Sequence, residues 1–148
     1  MMLGVEKLKP DNKEELFLLE NDLFKNPWAA ISIEEQLKIK SSLNLGLKIN
    51  NELISYVLCL DLFPEIEILR FGVKQNFQLQ GKGKFLLQSL ISLLKQKNYN
   101  RIFLEVNTNN SGAVSLYKLF GFKDISIRKN YYLESGVYYD AKIMQLTL

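Results

Sequence analysis

Three places in this chain carry residue types at a spacing that could do chemistry. The first is the loop Gln78-Leu79-Gln80-Gly81-Lys82-Gly83-Lys84. After it, Phe85, Leu86, Leu90, Ile91, Leu93 and Leu94 recur at helical spacing, so a helix starts inside the glycine turn. Before it, residues 66–73 are rich in β-branched and aromatic side chains and read as a buried strand. A strand, a glycine-bearing loop and a helix start together form an anion site. The loop amides and the first unpaired helix N–H groups converge there, and the helix dipole favours negative charge. Gly81 and Gly83 let the backbone approach a ligand that a Cβ would hold off. The same pattern also suits a tight turn that binds nothing.

The second and third places are Glu105 and Tyr117. Glu105 is a lone carboxylate in the apolar strand Phe103-Leu104-Glu105-Val106. It is either an ordinary solvent-facing glutamate or a partly buried one whose pKa rises toward that of a useful base. Tyr117 follows Leu116 in a short helix and is either a core aromatic or a proton donor.

Several chemistries are excluded. Only one residue separates Gly81 from Gly83, so the Walker phosphate loop does not fit, and Leu86 stands where a dinucleotide loop needs its third glycine. The sequence has no histidine, which removes Ser-His and Cys-His nucleophiles and any His-held metal. A base must therefore be Glu, Asp, Lys, Tyr or a water chain. The one cysteine, Cys59, cannot form an internal disulfide or a multi-cysteine zinc site and reads as a buried strand residue. No metal site is expected.

These groups need elements to position them. The 148 residues, 47% hydrophobic and 24% charged, suit one soluble domain with one good core. No apolar run reaches the roughly 18 to 20 residues of a membrane span, and residues 1–10 lack a signal-peptide core. A cytoplasmic location and no membrane partner are expected. A net charge of +3 with scattered basic residues gives no nucleic-acid surface.

In chain order, residues 4–8 form a short strand, and Asp11, with Glu14 three residues on, caps a helix bearing Leu16, Leu19, Leu23 and Phe24. Asn26-Pro27-Trp28 ends it. Ser32 with Glu35 is a second capping box, for a short helix ending near Lys40. Residues 43–49, the turn Asn50-Asn51 and residues 53–62 form a hairpin. A strand over 101–106, a helix over 113–120 stopped by Gly121, and strands over 123–132 and 138–147 complete the chain. The order β-α-α-β-β-β-α-β-α-β-β, with hairpins and two strand–helix–strand crossovers, predicts a mixed α/β sheet with helices on both faces.

The quoted motifs resemble one family. Gln78, Gly81 and Gly83 match the Q-x-x-G-x-G pyrophosphate loop of the GNAT family of N-acetyltransferases. Leu104-Glu105-Val106, Asn110, Ala113 with Leu116-Tyr117, and Gly121-Phe122 match the L-E-V…N…A-x-x-L-Y…G-F signature of its ribosomal-protein alanine branch, the RimI type. Asn130-Tyr131-Tyr132, Asp140-Ala141 and Met144 match that branch's ending, and Pro27-Trp28 its P-W pair. The resemblance implies a single GNAT domain over residues 1–148 (α+β), with a mostly antiparallel sheet of about seven strands.

It also implies acetyl-CoA as co-substrate. The pantetheine arm would lie along Phe71-Gly72-Val73 as an added strand. The pyrophosphate would sit on the loop from Gln78 through Leu79, Gln80, Gly81, Lys82 and Gly83 to Lys84, with Asn110 touching the arm. Glu105 matches the general base and Tyr117 the general acid, and Val73 offers an N–H to the carbonyl oxygen. Leu79 departs from the pattern, since arginine is frequent there; Lys82 and Lys84 supply the nearby charge.

The acceptor implied is a protein N-terminus, in the type case that of a ribosomal protein, with Trp28, Glu65, Tyr131 and Tyr132 lining its groove. Asp61, Glu65 and Glu67 would favour a basic peptide. Small-molecule amines, or a non-catalytic acyl-CoA sensor, are the alternatives. A monomer or weak dimer is expected.

Overall fold

A computed structural model describes residues 3–148. Seven strands form one sheet in the order β1-β2-β3-β4-β5-β7-β6. They are β1 (Leu3–Lys7), β2 (Ser42–Ile49), β3 (Glu52–Leu62), β4 (Glu65–Val73), β5 (Arg101–Asn107), β6 (Lys123–Glu134) and β7 (Val137–Thr147). All neighbours are antiparallel except β4 and β5. The expected element order and mixed sheet are as observed.

Four helices, α1 (Lys13–Leu23), α2 (Ala30–Lys38), α3 (Lys82–Gln96) and α4 (Ser111–Leu119), cover both faces. On one face α3 buries Leu86, Leu87, Leu90 and Leu94 against β2–β5, in a core that also holds Tyr117 and Phe122. On the other, Leu16 and Leu19 of α1 and Ile33 and Leu37 of α2 pack on Leu53, Tyr56 and Leu58 of β3. No helix among the described residues is long and apolar enough to cross a membrane.

Local signals place several boundaries. Asn50 and Asn51 both take positive φ, 49° and 71°, which two-residue hairpin turns require. Gly121 has φ 93°; its N–H donates to Lys118 O and that of Phe122 to Tyr117 O, a Schellman stop for α4.

The helix starts differ from expectation. A 3-10 turn, Pro10–Asn12, precedes α1. Asn12, rather than Asp11, does the linking there: it accepts from Lys9 N–H at 2.9 Å and donates to Glu15 at 2.7 Å. α2 begins at Ala30 behind Ala29 with no side-chain cap, so Ser32 lies inside its first turn and is not the cap. Burial of Ile33 and Leu37 fixes where that helix sits, and the capping pattern at Ser32 and Glu35 does not decide it.

One feature of the sheet makes room for a site. β4 and β5 pair only from Glu65 with Arg101 to Ile68 with Leu104. On its other edge β4 bulges: Cys59 faces Ile68 while Leu58 faces Arg70, leaving Leu69 unpaired. A bulge bends a strand and adds twist. Past it β4 separates from β5, which stays paired to β7 through Asn107.

Candidate active site

The cleft opened between β4 and β5 holds two cavities. The first, about 510 Å³, lies between the end of β4, the loop before α3 and the start of α4. Lys74 N–H turns toward β3, donating to Ile54 O at 2.8 Å. Because strand groups alternate, Phe71 and Val73 present their N–H and C=O groups to the open edge. The Val73 carbonyl is taken there by the Gln78 side-chain amide at 2.8 Å.

The loop then turns through Leu79 (φ 59°) and Gly81 (φ 78°) into α3. The amides of residues 79–84 have no main-chain partner among the described residues, so they form a run of free donors at a helix N-terminus. Gly83 is buried, and a Cβ on it would lie 3.0 Å from Val73 Cγ2 and 3.3 Å from the Phe71 ring. Any side chain here would push the Val73 and Phe71 side chains, or the helix start, aside by a few tenths of an ångström. Gly72, Lys82, Lys84 and Asn110 also line this cavity. Asn110 caps α4, accepting from Ala113 N–H at 3.2 Å. Leu79 is fully exposed, and the Gln80 side chain instead donates to Asn76 O.

The second cavity, about 520 Å³, lies on the other side of the split and is lined by Glu105, Tyr117 and Tyr132 together with Arg70 and Glu134. The two cavities share Leu23, Phe24, Phe71, Asn110 and Ala113, and so form one cleft with two mouths. Glu105 is partly buried, its carboxylate 3.3 Å from Arg128 Nε. Glu67 lies on the same sheet face, where burial and then the Glu105 charge raise its pKa. Burial, and then Glu105, also raise Tyr132.

Tyr117 is 4% exposed, its ring edge-on to Phe71 and tilted against Phe122. Burial pushes its phenol well above the ordinary value, and Cys59 adds to the shift. Its hydroxyl has no hydrogen-bond partner among the described residues, where no buried polar atom is left unpartnered. It therefore keeps some solvent access, on a residue that lines the second cavity.

Three expected acceptor residues stand apart. Trp28 packs on the α1–α2 core, Glu65 pairs with Arg101 at 3.5 Å, and Tyr131 is exposed against the Tyr132 ring. None of them lines either cavity. The sequence reading missed Arg70, Arg128, Glu134 and Asn107. Glu134 accepts from Asn107 at 3.0 Å and from Asn109 at 3.4 Å, tying the β6–β7 hairpin to the loop after β5. An arginine inside the apolar run Ile66–Val73 was the one signal available.

A mixed sheet split at a bulge thus carries one cleft, with free helix-start amides at one mouth and a carboxylate and a tyrosine at the other. A family model described as Acetyltransferase (GNAT) family matches residues 13–122; the chain belongs to this family and is an acyltransferase. It is 32% identical over 128 residues to the [ribosomal protein bS18]-alanine N-acetyltransferase of Haemophilus influenzae, covering 86% of each chain. It is 30% identical over 146 residues to the putative enzyme of that name from Bacillus subtilis, covering 98% of this chain and 95% of that one. The crystal structure of the ribosomal-protein-S18-alanine N-acetyltransferase from Escherichia coli superposes with a TM-score of 0.94 at 27% identity, over 99% of this chain and 94% of that one. Arabidopsis thaliana NAA60 in complex with acetyl-CoA shares the fold at 16% identity, with a TM-score of 0.87 over 99% of both chains.

Proposed function

We propose that this chain transfers the acetyl group of acetyl-CoA to the N-terminal α-amine of a protein, of the ribosomal-protein alanine type. The observation that carries the reading is the shared cleft: the two cavities meet where Phe71, Asn110 and Ala113 border both. The residues present fit acetyl-CoA. The free amides of 79–84 suit a pyrophosphate, and the Phe71–Val73 edge suits the amides of an extended arm.

When bound, acetyl-CoA supplies the acetyl group as an activated thioester. Glu105 accepts the proton of the α-ammonium, whose pKa of about 8 leaves it largely charged at neutral pH. The freed amine would form the new N–C bond as the C–S bond breaks; the nitrogen's second proton, shed as the amide forms, would leave through water and make good the one Tyr117 gives up. Tyr117 gives its proton to the departing sulfur; its raised pKa keeps that proton in place until then. Val73 N–H, on the open edge, steadies the carbonyl oxygen. No covalent enzyme intermediate is needed, and the Cys59 thiol is buried.

Mass spectrometry of acetyl transfer to a panel of N-terminal peptides, with polyamines and aminoglycosides alongside, tests this. Acetylation at the α-amine of alanine- or serine-starting peptides is the expected result. Transfer only to small amines would replace the acceptor, and tight acetyl-CoA binding without any transfer would leave a sensor.

A further inference from the structure

Glu20 is the only charged side chain among the described residues that is fully buried, at 1% exposure. It projects from α1 onto the sheet. One carboxylate oxygen accepts from the Tyr56 hydroxyl of β3. The other accepts from Arg70 Nε of β4 at 2.8 Å and lies 2.6 Å from a second Arg70 nitrogen. It also accepts from the Trp28 main-chain N–H at 2.9 Å. Arg70 in turn donates to Asn26 O at 3.2 Å and stacks 3.8 Å from the Phe24 ring. Arg70 leaves β4 one residue after the unpaired Leu69, at the point where the sheet splits.

The connection between α1 and α2 makes no helix or strand. Among the described residues, the main chain of 25–28 is held by two hydrogen bonds, Trp28 N–H to Glu20 and Arg70 to Asn26 O. Phe24, Lys25 and Asn26 form a wall of the cavity that holds Glu105 and Tyr132. A buried ion pair seldom adds net stability over apolar residues of the same volume, because desolvation offsets its attraction. It does fix direction, since every donor must meet the carboxylate at one geometry.

We propose that Glu20 is a positioning residue for acceptor binding: through Arg70 and the Trp28 amide it holds the segment 24–28, whose Phe24, Lys25 and Asn26 form one wall of the acceptor cavity. The acceptor side of this statement rests on the function proposed above; the ordering of the segment does not.

The sequence has a single tryptophan, Trp28, so intrinsic fluorescence reads this segment alone. In Glu20→Gln, acrylamide quenching of Trp28 rises and its emission shifts to the red. In the peptide assay, the acceptor KM rises about tenfold, the scale of one charge-assisted hydrogen bond. kcat stays close to wild type, and the acetyl-CoA dissociation constant, exposed to the segment only through Phe24, changes less than the acceptor KM. Unchanged quenching together with unchanged acceptor KM overturns the proposal. If Glu20→Gln does not fold, the double variant Glu20→Gln/Arg70→Met decides, because it leaves no unpaired buried charge. Its thermal stability recovers toward wild type while quenching and acceptor KM stay raised; wild-type values for both overturn the proposal. Should wild type acetylate no peptide in the panel, the acceptor assignment falls, and quenching alone still supports or overturns the ordering of residues 24–28.

Discussion

A carboxylate serves as base only where the acceptor reaches it, and a phenol as acid only if its proton is not already shared. Glu105 meets the first condition in the proposed reaction by lining the second cavity, with one side of its carboxylate toward Arg128. Glu105→Gln keeps the shape and the acceptor oxygen but cannot take a proton. It should lower kcat by about 10²–10⁴, the usual share of a general base, while calorimetry shows unchanged acetyl-CoA affinity. The lost Arg128 pair is half exposed and so contributes little to stability. Unchanged turnover would remove Glu105 from the mechanism. Tyr117 meets the second condition, because its hydroxyl bonds to nothing else in the described chain. Tyr117→Phe therefore leaves no orphaned polar partner. The melting temperature should hold while kcat falls about a hundredfold, within the range for general-acid assistance. An unaffected rate would reduce Tyr117 to packing on Phe71 and Phe122.

In the proposed function, the start of α3 is where an element, rather than a side chain, would do the binding. Its amides point into the cavity because Gly83 lets the helix close on Val73 and Phe71. Gly83→Val places branched atoms where even a Cβ is 3.0 Å from Val73, so the helix start must shift away from β4. Acetyl-CoA affinity measured by calorimetry should fall at least about tenfold, as for loss of one strong contact. The melting temperature should drop by several degrees, consistent with about 1–3 kcal/mol of overpacking. Wild-type affinity in this variant would show that the loop adjusts and that the close approach is not needed. This element was legible because its signals are local: two glycines, then apolar residues at helical spacing. The Asn50-Asn51 hairpin was legible for the same reason. The start of α2 was not, since Ser32 and Glu35 fit a capping box while burial of Ile33 and Leu37 sets the helix one turn differently.

At the scale of the molecule, the split between β4 and β5 and the Glu20–Arg70–Tyr56 network join residues far apart in sequence, which no local pattern announces. Glu105 and Tyr117 could be named from motif; what brings Arg70, Glu134 and Tyr132 to the same cleft is topology. The cleft also leaves a mark on global stability. Glu67 ionises half-buried beside Glu105, and both burial and that charge raise its folded pKa above 4.5. Between the unfolded and folded pKa values the native state binds more protons than the unfolded chain, so this group's contribution weakens as pH rises through that window. It is fully present below the unfolded value. Glu34 and Asp140 act in the opposite sense, lowered by Lys38 and by Asn130 N–H respectively, but both are surface groups screened by water. Glu67→Gln removes the cost of ionisation. Its melting temperature should exceed wild type by about 1–2 °C at pH 7, the scale of a partly exposed substitution. The difference should shrink toward zero below pH 4, where wild-type Glu67 is protonated. Melting curves of the two proteins from pH 3.5 to 8 measure it. A difference independent of pH would mean that Glu67 does not titrate under the influence of the cleft, and that the two carboxylates on this face are not electrostatically coupled.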